Sequence, residues 1–227
     1  MAADVQIVFW GHACFGIHVD SQPFLLIDPF DPAGLGNIPG PPAINIRYPY
    51  VIATHDHSDH AAFHTQPDAV RLHAPYMDDA HRLTIDARTV AHDEFGGRLR
   101  GGTTQIFSIT LREQRIVHCG DLGERLVGEA LAWLRTPTPD VLILPAGGYF
   151  TLGADGASAL AADIMPRHVL FCHTRDDGLP LPQLQSRDVI AKRVSAWPQR
   201  HLASLPLSKK ANNECRPVVV WLERPQR

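Results

Sequence analysis

The sequence lacks the features that mark several classes of protein. No run of apolar residues approaches twenty in length, so we expect no membrane-spanning helix. The first residues, Met1 to Asp4, show no basic region followed by an apolar one, so no secretory signal is visible and a cytoplasmic location is expected. The 4 cysteines are widely scattered without a Cys-x-x-Cys pair, which excludes a disulfide framework and a structural zinc knuckle.

An excess of positive charge is also absent. The 21 lysines and arginines are balanced by 24 aspartates and glutamates, and the formal net charge of −3 provides no basic surface for nucleic acid. Apolar residues make up 44% of the chain and charged residues 20%, which is ordinary for a globular protein. Because no linker, repeat or break in composition divides the 227 residues, we predict a single domain over residues 1–227.

Histidine, in contrast, is abundant, with 13 residues in the chain. The stretch 54–60 holds three imidazoles and two carboxylates directly after the apolar run 50–53. A single histidine is usually an ordinary buried or surface residue, but buried polar groups need partners, and packing does not account for so dense a cluster. Imidazole and carboxylate are the usual ligands of zinc and similar divalent ions. The stretch therefore predicts a metal site.

The spacing within this stretch favours two metal ions over one. His55 and His57 lie two positions apart, so at the end of an extended segment both side chains leave from the same side. Ser58 or Asp59 is a suitable N-cap, so we expect a helix to begin there and to turn Asp59 and His60 back toward the first pair. Two pairs of ligands arranged in this way suit two adjacent ions.

Further ligands are expected at the ends of other strands, since loops gather at one edge of a sheet. His118 and Asp121 end one apolar run, and His173 ends another. Each histidine taken alone can equally be a core residue bonded to a backbone carbonyl. The adjacent Cys119 and Cys172 should point the other way along their strands and act as small packing residues rather than as ligands.

The apolar runs and the turn residues between them predict an α/β fold. Apolar runs bounded by turn residues predict strands over residues 6–10, 13–19, 23–27, 50–53, 90–95, 104–111, 116–121, 141–144, 168–173 and 217–222. Helices are predicted over residues 124–134, 157–164 and 186–194, and a long, functional loop over residues 30–48. Antiparallel strands thus give way to strand–helix alternation, which predicts two mixed sheets flanked by helices in a four-layer αββα sandwich.

These motifs resemble the metallo-β-lactamase superfamily. The resemblance is carried by the stretch 54–60, by His118-x-x-Asp121 and by His173, in that order, and it spans nearly the whole chain. A narrower resemblance is to a subset of small hydrolase-like proteins that includes the ascorbate-phosphate lactonases and the phospholipase D acting on N-acyl-phosphatidylethanolamine. The narrower match is carried by Gly11-His12-Ala13-Cys14-Phe15, Ile27-Asp28-Pro29, His92-Asp93, Arg100-Gly101 and residues 118–123 and 145–151.

The resemblance implies a dinuclear metal centre. It assigns His55, His57 and His118 to the first ion, Asp59, His60 and His173 to the second, and Asp121 to a bridge between them. Asp28 would orient one of the ligand imidazoles. Two divalent ions are expected as cofactors, zinc above all, with manganese and iron as alternatives. The sequence departs from the family at Gly102-Thr103 and at Cys172-His173-Thr174, and both departures touch the substrate side.

The function implied is that of a metal-dependent hydrolase in which metal-activated hydroxide attacks an ester, a lactone or a phosphodiester. Catalytic roles are predicted for Asp121 as the bridge, for Asp59 in proton transfer, and for His92 as a proton donor at the pocket rim. His12 is a second candidate at the rim. Either histidine can instead be an ordinary hydrogen-bonded residue.

The expected partner is a small-molecule substrate, with no nucleic acid and no membrane span. Arg98, Arg100 and Arg175 are candidates for binding an anionic group of the substrate, and Tyr149 is a candidate for lining the pocket. The alternative to an enzyme is a non-catalytic or metal-poor relative that binds a small ligand or a partner in the same cleft. Assembly as a homo-oligomer is left open.

Overall fold

Short strands with apolar residues at alternate positions, or apolar throughout, build most of the molecule. The computed structural model describes residues 5–99, 102–207 and 217–225. Within these residues the strands are β1 (Val5–Gly11), β2 (Cys14–Val19), β3 (Gln22–Ile27), β4 (Tyr50–Ile52), β5 (Val70–Arg71), β6 (Tyr76–Asp78), β7 (Leu83–Ala91), β8 (Thr103–Leu111), β9 (Gln114–His118), β10 (Val141–Pro145), β11 (His168–Cys172), β12 (Gln199–Leu202), β13 (Leu205–Leu207) and β14 (Val218–Leu222). The helices are α1 (Gly128–Arg135), α2 (Ala154–Ile164), α3 (Arg187–Arg193) and a 3₁₀ helix, Phe63–Thr65.

The strands form two mixed sheets. The smaller sheet has six strands in the order β13-β1-β2-β3-β4-β5, and the larger has eight in the order β12-β14-β11-β10-β9-β8-β7-β6. In the smaller sheet β1, β2 and β3 are antiparallel neighbours, while β3, β4 and β5 run parallel. In the larger sheet β9, β10, β11 and β14 are parallel, and β6 to β9 are joined by antiparallel pairing.

The main core lies between the two sheets. Val5, Ile7 and Phe9 of β1 occupy alternate positions, which places their side chains on one face of the strand, and all three are buried in this core. From the larger sheet, Phe107 and Ile143 belong to the same cluster. Apolar burial of this kind is the main term that stabilises a sandwich of sheets.

The three α-helices cover the outer face of the larger sheet. Leu134 of α1, Ala157 of α2 and Ile190 of α3 belong to a second buried cluster together with Leu142 of β10. Residues on opposite faces of β10 therefore enter different cores, which explains why residues 141–144 are apolar without alternation.

A loop covers the outer face of the smaller sheet. Leu26 and Val51 pack there against Phe30 and Tyr48, which lie at the two ends of the predicted loop 30–48, and against Phe63 of the 3₁₀ helix. The α/β sandwich of two mixed sheets is confirmed, and among the described residues no α-helix lies on this face. Nor does any described helix have the length and hydropathy needed to cross a membrane.

Two local predictions were wrong. The strand predicted over 90–95 is the end of β7, which pairs with β8 from Leu83 to Ala91 and stops where the Asp93 carboxylate accepts hydrogen bonds from the amides of Phe95, Gly97 and Leu99. No helix begins at residue 58 or 59, because the amides of His60 and of its neighbour both donate to the carbonyl of His57 in a tight turn.

Candidate metal centre

The polar residues predicted to form the site follow strands that end on the same edge of the sandwich. In the smaller sheet β1, β3 and β4 run in one direction, and in the larger sheet β7, β9 and β11 do so as well. The residues that follow these strands are His12, Asp28, the 55–60 segment, His92, Asp121 and His173. Both sheets therefore contribute side chains to one cluster.

One half of the cluster consists of His55, His57 and His92. One ring nitrogen of each lies within 4.8 Å of the others, which is close enough for a single ion. Nδ1 of His92 donates to the carbonyl of Phe150 over 2.9 Å, so when the ring is neutral its Nε2 lone pair faces the cluster. His92 is 2% exposed, so it lies inside the centre and not at the pocket rim.

The other half consists of His12, Asp59, His60 and His173, whose candidate ligand atoms also lie within 4.8 Å of one another. His60 is positioned by Asp28, since its Nδ1 donates to Asp28 Oδ2 over 2.9 Å. Asp28 is fully buried and also accepts hydrogen bonds from the amide and the hydroxyl of Thr54. The predicted role of Asp28 as the residue that orients a ligand imidazole agrees with this geometry.

Asp121 lies between the two halves. Its Oδ2 is 3.1 Å from His92 Nε2 and 3.3 Å from His173 Nε2, and its Oδ1 is 3.3 Å from His60 Nε2. Burial alone would raise the pKa of this carboxyl, but the imidazoles of His173 and His60 hold it well below the ordinary value. Asp121 is therefore an ionised, buried carboxylate in contact with both histidine groups.

Two histidines of the cluster, His55 and His12, have the protonation state that metal binding requires. Burial lowers the pKa of His55 to about 3, and burial together with His173 lowers the pKa of His12 to about 4. Both rings are therefore neutral near pH 7, and neutral imidazole is the form that binds metals. Against the effect of burial, Asp121 and Asp28 raise the pKa of His60 and Asp121 raises the pKa of His92, so binding of ions there would release protons.

Unpaired polar atoms show that the cluster fits a cation. Among the described residues, the following buried atoms of the cluster have no hydrogen-bond partner: Nδ1 of His12, Nε2 of His60, Nε2 of His92, Oδ1 of Asp121 and Nδ1 of His173. Leaving one buried polar atom unpaired costs about 1–3 kcal/mol, so a group of them needs an explanation. Bound divalent ions would satisfy the lone pairs that face the interior of the cluster.

His118 does not join the cluster, which corrects the predicted ligand set. Its Nδ1 accepts a hydrogen bond from the amide of Gly120, and its Nε2 donates to the carbonyl of Ala13, both over 3.0 Å. No lone pair remains for a metal, so His118 is a core histidine of the kind considered above. His92 occupies the place beside His55 and His57 that the resemblance assigned to His118.

The other candidate residues have mixed positions. Arg98 and Arg175 are exposed, and Arg100 lies outside the described residues. His12 is fully buried, so it does not line the pocket rim. Cys119 and Cys172 are buried in the two cores, as predicted.

Two pockets flank the cluster. A polar pocket of about 460 Å³ is lined by His55, His57 and the threonines at positions 54, 89, 103 and 104. A second pocket of about 430 Å³ is lined by Phe95, Tyr149 and Phe150, among others, and the Phe150 carbonyl that forms part of it also holds His92. Tyr149 is 52% exposed, in agreement with its predicted place in a pocket wall.

Known proteins resemble this chain in sequence and in structure. The family model described as the beta-lactamase superfamily domain matches residues 6–173. A UPF0173 metal-dependent hydrolase of Thermofilum pendens is 27% identical over 195 residues, covering 74% of this chain and 82% of that protein. Another, from Symbiobacterium thermophilum, is 29% identical over 196 residues, covering 74% and 84%.

Among solved structures, a candidate Zn-dependent hydrolase of the metallo-β-lactamase superfamily from Thermotoga maritima has a TM-score of 0.70 at 23% identity, covering 95% of this chain and 97% of that one. An isothiocyanate hydrolase from Delia radicum gut bacteria has a TM-score of 0.60 at 18% identity, covering 86% and 92%. At these identities the structures establish a shared fold.

Proposed function

The chain belongs to the beta-lactamase superfamily domain family, and from this we propose that it is a metal-dependent hydrolase whose centre is the histidine–aspartate cluster at the sheet edge. The observation that carries the proposal is the position of Asp121, a buried carboxylate in contact with imidazoles of two separate ligand groups. Relatives that align over about three quarters of the chain are named metal-dependent hydrolases, which supports it.

We assign the ligands of two ions from the geometry of the cluster. His55, His57 and His92 would hold the first ion, and Asp59, His60 and His173 the second, with Asp121 between them. All of these donors are nitrogen or oxygen atoms and none is a thiolate, which suits zinc and also permits manganese or iron.

Two such ions would lower the pKa of a bound water molecule, so that hydroxide is available at neutral pH, and would polarise the oxygen of the bond to be broken. Asp59 is placed to accept or return a proton, since its side chain is 17% exposed and the other acids of the centre are buried. Burial favours its neutral form, but the hydrogen bond from His12 and the nearby His60 lower its pKa below the ordinary value, so it is ionised and able to act as a base.

The substrate proposed is a small molecule with an ester, lactone or phosphodiester bond. The polar pocket beside His55 and His57 offers threonine hydroxyls for its polar groups, and the pocket beside Tyr149 offers an aromatic wall. An anionic group would need one of the exposed arginines, Arg98 or Arg175, to reach the pocket.

Metal content and turnover test the proposal together. Protein purified without chelator or histidine tag should contain about two metal equivalents per chain by mass spectrometry, and it should turn over one member of a panel of lactones, esters and phosphodiesters. His57→Gln and Asp121→Asn should lose turnover by roughly 100-fold or more, with loss of metal, while circular dichroism shows an unchanged fold.

Three further histidine variants, one test and two controls, examine the ligand assignment. His118→Gln should keep its full metal content, because both ring nitrogens of His118 are engaged in hydrogen bonds. His92→Gln should lose about one equivalent, because the Nε2 lone pair of His92 is directed into the cluster. His201→Gln, on the exposed strand β12, should behave as the wild type. Full turnover in Asp121→Asn would refute the proposal.

The alternative is a non-catalytic relative that binds a small ligand in the same cleft. It predicts a fully metal-loaded protein that turns over none of the substrates, or a protein that contains little metal. The unpaired buried atoms of the cluster favour the loaded state.

A further inference from the structure

The ligand assignment leaves one buried histidine of the cluster, His12, without a role. Its Nε2 lies 3.1 Å from Asp59 Oδ2, and because an ionised carboxylate can only accept, the ring proton must be on Nε2. The His12 ring also packs against His173, with ring centroids 4.2 Å apart. The side chain is fully buried, so it cannot meet a substrate directly.

The backbone of His12 is held on both sides. Its amide donates to the carbonyl of Asp177 over 2.6 Å, and its carbonyl accepts from the amide of His173 over 3.0 Å. These bonds fix His12 at a φ of 53°, a left-handed conformation that histidine adopts more readily than most residues. Gly11 permits the close approach, since a Cβ at this position would lie 2.9 Å from both the Asp177 carbonyl oxygen and Pro41 Cβ.

Asp177 is itself fixed by buried contacts. Its Oδ2 accepts a hydrogen bond from the amide of Thr174, and its Oδ1 accepts one from Nε of Arg187, each over 2.8 Å. The Arg187 guanidinium lies over the rings of Phe9 and Trp221. The position of His12 is therefore set by a rigid chain of contacts that begins at the first residue of α3.

Asp59, by contrast, stands on the tight turn after β4 and is the more exposed partner of the pair. A carboxylate on a turn can rotate toward water, and an N–H donor at a fixed position prevents this. We infer that His12 is a positioning residue, which holds the Asp59 carboxylate in place for the second metal ion and thereby sets the affinity for that ion. The inference rests on the proposed metal centre.

The test compares two replacements of His12 in the full-length protein. Asparagine tolerates positive φ but its side chain is too short to reach Asp59, so His12→Asn removes the donor with little backbone strain. In His12→Gln the longer amide can place an N–H near the position of the imidazole Nε2. Zn²⁺ is titrated calorimetrically into each metal-free protein, and circular dichroism verifies the fold.

The wild type should bind two equivalents of Zn²⁺. In His12→Asn the affinity for one equivalent should fall on the order of 10- to 100-fold while the other is unchanged, which is the usual effect of losing a residue that supports a ligand. In His12→Gln most of that affinity should return. Two equivalents bound by His12→Asn at wild-type affinity would overturn the inference and leave the proposed function intact. A loss of affinity in His12→Gln as large as in His12→Asn would also overturn the inference. Glutamine restores the hydrogen-bond donor but not the imidazole, so such a loss would show that His12 is itself a ligand of the ion.

Failure of the wild type to bind two equivalents would instead count against the proposed centre itself. Should His12→Asn not fold, His12→Gly provides a second variant, because glycine adopts a φ of 53° without strain. It should lose the same equivalent and regain it when free imidazole is added. Wild-type affinity in His12→Gly without imidazole would overturn the inference.

Discussion

Three residues of the centre, His12, Asp28 and His173, have φ angles of 53°, 52° and 55°. A left-handed conformation costs a non-glycine residue on the order of 1–3 kcal/mol, and it persists only when its surroundings enforce it. Asp28 and His173 each directly follow a strand, β3 and β11, and there the chain must turn while the side chain faces the cluster. At these three positions the strained backbone thus belongs to residues whose side chains build the site.

A histidine far from the centre should make stability depend on pH. His168 begins β11 and is 5% exposed, and burial, with Arg167 and Arg200 nearby, lowers its pKa from 6.5 to about 4. A lowered folded-state pKa means that the unfolded chain binds more protons between these pH values. The contribution of His168 to the free energy of unfolding is therefore fully present above pH 6.5 and is lost as the pH falls through about 4.

His168→Gln should flatten this part of the stability curve. The free energy of unfolding is measured with urea at several pH values between 4 and 7 for the metal-free wild type and variant. The histidines of the centre contribute equally to both proteins, so the difference between the two curves reports on His168. Parallel curves for the two proteins would contradict the assignment.

The ligand residues show how far the sequence predicts the site. The 55–60 cluster, Asp121 and His173 are identifiable because they are ligand types placed at the ends of apolar runs. His118 met the same criterion, and only the structure shows that Gly120 and Ala13 occupy both of its ring nitrogens. His92 follows the end of β7 in the same way, but the strand was predicted to run to residue 95, which hid the strand end.

At the scale of elements, the ends of β10 and β11 are packed together by a glycine. Gly147 follows β10, and a Cβ at this position would lie 2.0 Å from the carbonyl oxygen of His173. No residue other than glycine permits this backbone approach. The position of His173 therefore depends on the absence of a side chain at Gly147.

Gly147→Ala should therefore weaken both the fold and the centre. Crowding of this kind costs about 1–3 kcal/mol of unfolding free energy, and displacement of His173 should also lower the metal content. Gly156→Ala in α2 is the matched control, since its nearest neighbour is the flexible Leu152 side chain and alanine favours a helix by up to about 1 kcal/mol. Equal unfolding free energies for the two variants would show that the contact at Gly147 is unimportant.

Elements were predictable to the extent that their pattern was local. The buried β10 and the strands β1 to β4 of the smaller sheet follow from apolar runs bounded by turn residues. Leu83–Ala91 alternates apolar and polar residues as far as Arg88, as a strand with one buried face should, with Asp86 and Arg88 at exposed positions. The alternation is lost at Thr89 and Val90, although the pairing with β8 continues to Ala91. β5 has two residues and β13 three, which is too short for a pattern in their own sequence. They are identified as strands only by their pairing with neighbouring strands.

For the whole molecule, the important feature is that the centre takes residues from both sheets. Ions held there would bind the folded chain and not the unfolded one, so they should add to its stability. At a free metal concentration 1,000 times Kd the gain is about 4 kcal/mol, which corresponds to a rise in Tm on the order of 10 °C for a chain of this size.

Removal of metal should therefore lower the melting temperature. Thermal unfolding is followed before chelation, after chelation and after zinc is restored, with the Asp121→Asn variant as the control that should not respond. An unchanged melting temperature in protein shown to have lost its metal would indicate that the two sheets are held together by their apolar core alone.

The loop over the outer face of the smaller sheet has a consequence for how such a protein can diversify. Its cover begins at Phe30, two positions beyond Asp28, yet it packs on the side of the sheet opposite the inter-sheet core. Pro41 of this loop lies against Gly11, next to His12, so insertions or exchanges within residues 31–47 can change the surroundings of the reactive edge while the strands that fix the donors keep their places. Selection can thus alter what enters the cleft without rebuilding the chemistry inside it.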